Sequence, residues 1–222
     1  MTTKLFNTLF DEVLSELAGV PQPMAINSIR NAAIDFCERS KAWVIDADPI
    51  SSVANQAIYE FEPDAGTEVT GVLQAYYNGL EIFPKTSAQL ETLVSVPGTT
   101  FIAGVPWQKQ SGIPKYYNIE RVDEFILVPY PIEAIALVIV MKIILKPTRT
   151  ATGMEKWILD KYFMQIAAGA KARLCAMPSK PWSNPTLVSY YSGIFEQGVS
   201  AASLNSIWTQ RLPPMNTEPS PI

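Results

Sequence analysis

The chemistry open to this chain is bounded first by an absence, since its 222 residues include no histidine. Without imidazole there is no Ser-His-Asp or Cys-His catalysis, and no His-containing metal site within the chain. Carboxylates are the remaining candidates. Asp46 and Asp48 form an Asp-x-Asp pair that suits a hard divalent cation, but no further acids cluster beside them to complete an oxygen shell. Loop aspartates of this kind ordinarily build turns. Glu120, Asp123 and Glu124 imitate a glycosidase acid pair, and equally the acids of a turn. Neither Gly-rich phosphate-loop spacing occurs. Tyr76, Tyr77, Trp107, Tyr116, Tyr117 and Tyr130 gather in one section, where aromatic faces suit sugar or base stacking. Cross-strand pairing uses the same residues and is favoured, because no basic residues are interleaved with them. These residues predict no enzyme, no bound metal and no cofactor.

Composition points toward a structural role. Hydrophobic residues make up 48% and charged residues only 17%, against roughly 25% charged in ordinary soluble domains. Either the core is large, or much of the surface is covered by other subunits. The net charge of −4 gives no electrostatic grip on nucleic acid or anionic membrane. Asp11, Glu12 and Glu16 interrupt the N-terminal apolar pattern, which argues against a signal peptide. The longest apolar run, 134–145, contains Lys142 and is too short to span a bilayer as a helix. Cys37 and Cys175 are expected as free buried thiols in helices. These features predict a soluble protein that assembles in a reducing cytoplasm.

The elements that position these residues are organised around 166–185, IAAGAKARLCAMPSKPWSNP. Ala167, Ala168, Gly169, Ala170 and Ala172 allow a second helix to approach closely. Pro178 ends that helix, Trp182 anchors the connector, and Asn184-Pro185 starts the next helix as N-cap and first-turn proline. Upstream, a first helix is expected to about residue 18 and a second over 24–42, closed by Trp43. Short β runs follow, at 57–61, 69–77, 80–84, 115–121 and 125–128, with Asn78-Gly79 as a hairpin signal. The β-branched run 134–145 reads as a central strand covered on both faces. Thr152-Gly153-Met154-Glu155 has the capping-box form and predicts a third helix to about 177. A fourth helix is expected over 185–204, followed by a proline-rich tail. The expected fold is α+β: a helical bundle built from N- and C-terminal helices, with an inserted antiparallel β section. Residues 1–43 and 148–208 form the bundle, 44–147 the β insertion and 209–222 an extended tail. Trp43, Gly169 and Trp182 are the expected structural anchors.

Three phrases carry a resemblance: IRNAAIDFCERSKAW at 29–43, GIPKYYNIERVDEFILVPYP at 112–131, and VMKIILKPTRTATGMEKWILDKYFMQIAAGAKARLCAMPSKPWSNP at 140–185. In these phrases and their order the chain resembles the head-to-tail adaptor (connector) proteins of podovirus-like tailed bacteriophages. The resemblance implies a virion protein assembled as a ring, usually a dodecamer, beneath the portal. Such rings extend the DNA channel without sequence-specific binding and seat the tail nozzle or fibres. It implies no cofactor and no catalytic residues. The tail, with Trp208, Arg211, Leu212, Pro213 and Pro214, is the expected portal contact, since Trp and Arg are frequent binding hot spots. The alternative reading is a virion carbohydrate-binding or tail-associated module using the aromatic β section.

Overall fold

The computed structural model describes residues 2–95, 101–102, 104–121 and 124–211, with side chains as far as Ser206 except that of Ser95. In chain order, β1 (Thr3–Leu5), a 3-10 turn (Phe6–Leu9), α1 (Phe10–Leu14) and α2 (Gln22–Ser40) come first. Next are β2 (Val44–Asp46), β3 (Ile58–Glu60), β4 (Thr67–Tyr77), β5 (Leu80–Pro84) and α3 (Ser87–Ser95). β6 (Tyr116–Asn118), β7 (Glu124–Val128), β8 (Ile139–Pro147) and β9 (Gly153–Glu155) complete the strands. The chain then runs through α4 (Lys156–Lys161), α5 (Phe163–Cys175) and α6 (Pro185–Arg211). It divides into two compact units, Val44–Leu145 and Met1–Trp43 with Lys146–Ile222.

Seven strands form a curled mixed sheet in the order β2-β8-β4-β5-β6-β7-β3. The β4–β5 hairpin turns at Asn78 and Gly79, whose φ values of 50° and 75° are those of the two-residue turn that Asn-Gly encodes. β5 and β6 are parallel, with Phe83 opposite Tyr116 and Pro84 opposite Tyr117. The connection from β5 to β6, which contains α3, is long enough for a parallel crossover. Beneath the sheet, Leu90, Phe101, Trp107 and Val128 form an apolar cluster. Tyr117 stacks on Phe125 at 5.0 Å.

In the other unit, α2, α5 and α6 pack around Phe36, whose ring centre lies 4.7 Å from Tyr162 and 6.2 Å from Phe195. α5 is buried at Ile166, Ala167, Ala168, Gly169, Ala170, Lys171 and Ala172. Asn184 Oδ1 accepts from the backbone N–H groups of Thr186 and Leu187 at 3.1 and 3.3 Å, the cap that the Asn-Pro pair predicts. Charged side chains tie the helices together. Lys171, 3% exposed, reaches Glu12 and Glu16 at 2.8 Å each. Burial works to lower its pKa, but the hydrogen bonds and charges of the two glutamates outweigh this and raise it. The hydroxyl of Tyr191 donates to Glu16.

The expected architecture is corrected in its particulars. The fold is α+β, but a helical bundle carrying an antiparallel insertion does not describe it: the described residues form a curled, seven-stranded, mixed sheet, a two-stranded sheet and six α-helices. The expected first helix is a strand, a 3-10 turn and a five-residue helix. Phe6, Leu9 and Val13 still reach the core, because the turn and short helix keep them on one side. The expected capping box is not a cap: Gly153-Met154-Glu155 is β9, paired antiparallel with β1. The third helix starts at Lys156 and is interrupted at Tyr162. The apolar run 134–145 is strand only from Ile139, with Val140 and Lys142 exposed on one face. One face is open only at that end, because Ile143, Ile144 and Leu145 are all buried and both faces are covered there.

Candidate functional site

The seven-stranded sheet opens between β4 and β6. Pairing of β4 with β5 covers only Ala75–Ile82, Tyr76–Glu81 and Tyr77–Leu80. In a two-residue hairpin the flanking pair shares hydrogen bonds and alternate residues follow suit. Tyr77 and Ala75 therefore point their backbone groups at β5, and Leu73, Gly71 and Val69 continue that edge. The next β5 residue due to donate to β4 is Pro84, which has no N–H. Phe83 and Lys85 donate the other way, to the carbonyls of Lys115 and Tyr117 at 3.1 and 2.8 Å. At Pro84, β5 thus leaves β4 and stays with β6. Among the described residues, no strand pairs with this edge of β4 beyond Ala75, and Gly71 on it lines a cleft.

That cleft has a volume of about 600 Å³, within the range of ordinary ligand sites. β4 contributes Thr70, Gly71 and Val72; the opposite wall includes Lys85, Asn118 and Glu120. Asn118 is 3% exposed, and its Nδ2 donates to the Lys85 carbonyl at 2.8 Å and to Ser87 Oγ at 3.4 Å. Its Oδ1 is buried without a hydrogen-bond partner. Such an orphaned acceptor costs about 1–3 kcal/mol until a donor reaches it. Ser87 Oγ donates to the Glu120 carboxylate. Thr86 and Gln89 cap α3 reciprocally, Gln89 N–H to Thr86 Oγ1 at 3.3 Å and Thr86 N–H to Gln89 Oε1 at 3.2 Å. Burial, with the Glu81 charge adding to it, pushes the Tyr117 hydroxyl up to about 12, so it stays protonated and supplies no base. Donors and acceptors of both kinds, with a free strand edge, suit recognition of a neutral hydrogen-bonding ligand.

The residues singled out from sequence fall elsewhere. Trp43 is 2% exposed, and its indole N–H donates to Glu155 at 3.0 Å. Trp182 is half-buried, less than an anchor closing a reversal requires, and its indole nitrogen has no partner. Gly169 lies where α2, α5 and α6 meet: a Cβ there would stand 2.5 Å from Phe195 Cδ2 and 3.2 Å from Ala32 Cβ. The backbone of Trp208 and Arg211 belongs to α6, past the expected end of that helix. Their side chains, and Leu212, Pro213 and Pro214 entirely, lie outside the described residues. Asp46 faces Lys142 at 4.0 Å, and among the described residues no group of three His, Cys, Asp or Glu side chains could hold a metal. Glu120 is bound by Ser87 and Glu124 by Arg121 at 2.9 Å; Asp123 lies outside the described residues.

Of the aromatic cluster, Tyr77, Trp107 and Tyr117 are buried and Tyr76, Tyr116 and Tyr130 half-buried, so the residues serve core packing more than an open stacking platform. Sequence reasoning missed Gly71, Pro84 and Asn118. One signal was legible: a proline at the end of a strand run marks where a ladder must stop. Cys37 and Cys175 are free and buried, and burial raises both thiols above their ordinary values. No known family model matches this chain and no curated protein does, so its reading rests on its own residues.

Proposed function

We propose that this chain is a ring-forming head-to-tail adaptor of a podovirus-like tailed bacteriophage, joining the portal to the tail nozzle or fibres. The observation that carries this reading is the placement of the resembling phrases. The phrase at 29–43 is α2 and its terminus, and the phrase at 140–185 runs from β8 through α5 to the connector. They meet at Gly169 and Ala32, where a Cβ built on Gly169 would stand 3.2 Å from that of Ala32. The resemblance is thus concentrated on residues that pack on one another, as a shared fold requires. Large apolar side chains left exposed, among them Leu80 at 67%, Ile113 at 69% and Tyr190 at 62%, are consistent with subunit contacts. Acidic balance favours a channel wall that lets DNA slide.

Within this reading the portal contact is made by Trp208, Arg211, Leu212, Pro213 and Pro214. Prolines reduce the entropy lost on docking, and Trp and Arg supply the energy. Negative-stain images and mass measurement of the purified chain, with and without portal protein, test the proposal. Rings in the presence of portal support it. A chain that stays monomeric and never joins portal rings would refute it. Trp208→Ala with Arg211→Ala should weaken portal binding while leaving the fold intact.

A further inference from the structure

We propose that residues 216–222 of a second copy of this chain add as a strand to the free edge of β4 inside the cleft. On the receiving side, Val69, Gly71 and Leu73 offer three ladder positions over five residues, about 17 Å of strand. Pro84 prevents β5 from taking them. Gly71 lets a neighbouring backbone approach, with only Ile144 Cδ1 within 4 Å of a Cβ built there, at 3.9 Å.

On the donating side, the sequence beyond α6 reads LPPMNTEPSPI. A strand bonds one neighbour through alternate residues, so only those must carry N–H groups. Asn216, Glu218, Ser220 and Ile222 all do, while Pro219 and Pro221 fall on the alternate positions. The segment can therefore form a ladder on one edge and not on both, the pattern of an edge strand. On its other edge Thr217 alone retains an N–H, which the ladder with β4 does not use. The lining carries both signs of charge, Lys85 as well as Glu120. Every copy carries both the edge and the tail, so the contact is head to tail, the class of interface that closes into rings. It uses residues beyond the proposed portal contact and does not rest on the adaptor reading.

Amide hydrogen exchange at Gly71 and Leu73, followed by NMR on the purified full-length chain without portal, is the test. Exchange at both should slow as protein concentration rises, by about tenfold once nine-tenths of the clefts are filled. Glu218→Pro removes an N–H that faces β4 and should abolish this slowing. Thr217→Pro removes one from the opposite edge and should retain it. Neither substitution touches a described residue, and the remaining amides report that the fold is unchanged. Protection that does not depend on concentration overturns the second copy as the source, and equal behaviour of the two proline variants overturns strand addition. Fast exchange under all conditions overturns the proposal as a whole.

Discussion

Replacing Gly169 by alanine isolates the contact on which the helical packing turns. In an isolated helix the change is favourable by about 0.8–1 kcal/mol, because glycine loses the most backbone entropy on folding. Here the new methyl would stand 2.5 Å and 2.8 Å from two ring carbons of Phe195, with Ala32 Cβ at 3.2 Å. The Phe195 ring is 4% exposed and held between Phe36 and the guanidinium groups of Arg39 and Arg173, 5.9 and 5.6 Å from its centre. It has little freedom to swing away, so the overpacking cost of about 1–3 kcal/mol prevails. The net expectation is a loss of about 1–2 kcal/mol. Gly193, in α6, has nothing within 4 Å of its would-be Cβ, so Gly193→Ala should gain about 0.5–1 kcal/mol. Urea unfolding of the two variants beside the parent chain measures both, with shifts in midpoint at constant slope. If Gly169→Ala is as stable as Gly193→Ala, the close approach of α5 and α6 is wrong.

Gly153→Ala should be worse than either, because its Cβ would meet the backbone of β1, with Lys4 C at 2.9 Å and Leu5 Cα at 3.0 Å. A loss of about 2–3 kcal/mol in urea, with earlier proteolysis of the N-terminal strand, is expected. Lys171→Met leaves Glu12 and Glu16 without their buried cation and should cost about 1–3 kcal/mol near neutral pH, less than a fully buried pair because the glutamates are partly exposed. Since the folded state raises the Lys171 pKa, its stabilising contribution is complete below the unfolded value, about 10.4, and fades as pH rises through the folded one. The gap between parent and variant should accordingly narrow as pH rises on the alkaline side. Trp43→Phe keeps most of the apolar volume but strands the Glu155 carboxylate, and a loss of about 1–2 kcal/mol by thermal unfolding is expected.

What the sequence determined by itself were the features that depend on a few neighbouring residues. Asn78-Gly79 folds as the hairpin turn because both positions tolerate positive φ, and Asn184-Pro185 caps α6 because side chain and ring suit those two places. The small residues at 167–172 are buried where helices meet, as their lack of side-chain bulk requires. Only tertiary structure decided the rest. Thr152 to Glu155 satisfies a helix-capping pattern, yet those backbone groups bond β1, about 150 residues away, because Gly153 admits the strand at a distance no other residue allows. Likewise the parallel junction of β5 and β6 brings Asn118 and Glu120 to Ser87, and so creates the cleft. No local spacing could announce it, because the cleft exists only where Pro84 ends one ladder and a distant strand takes up the other edge.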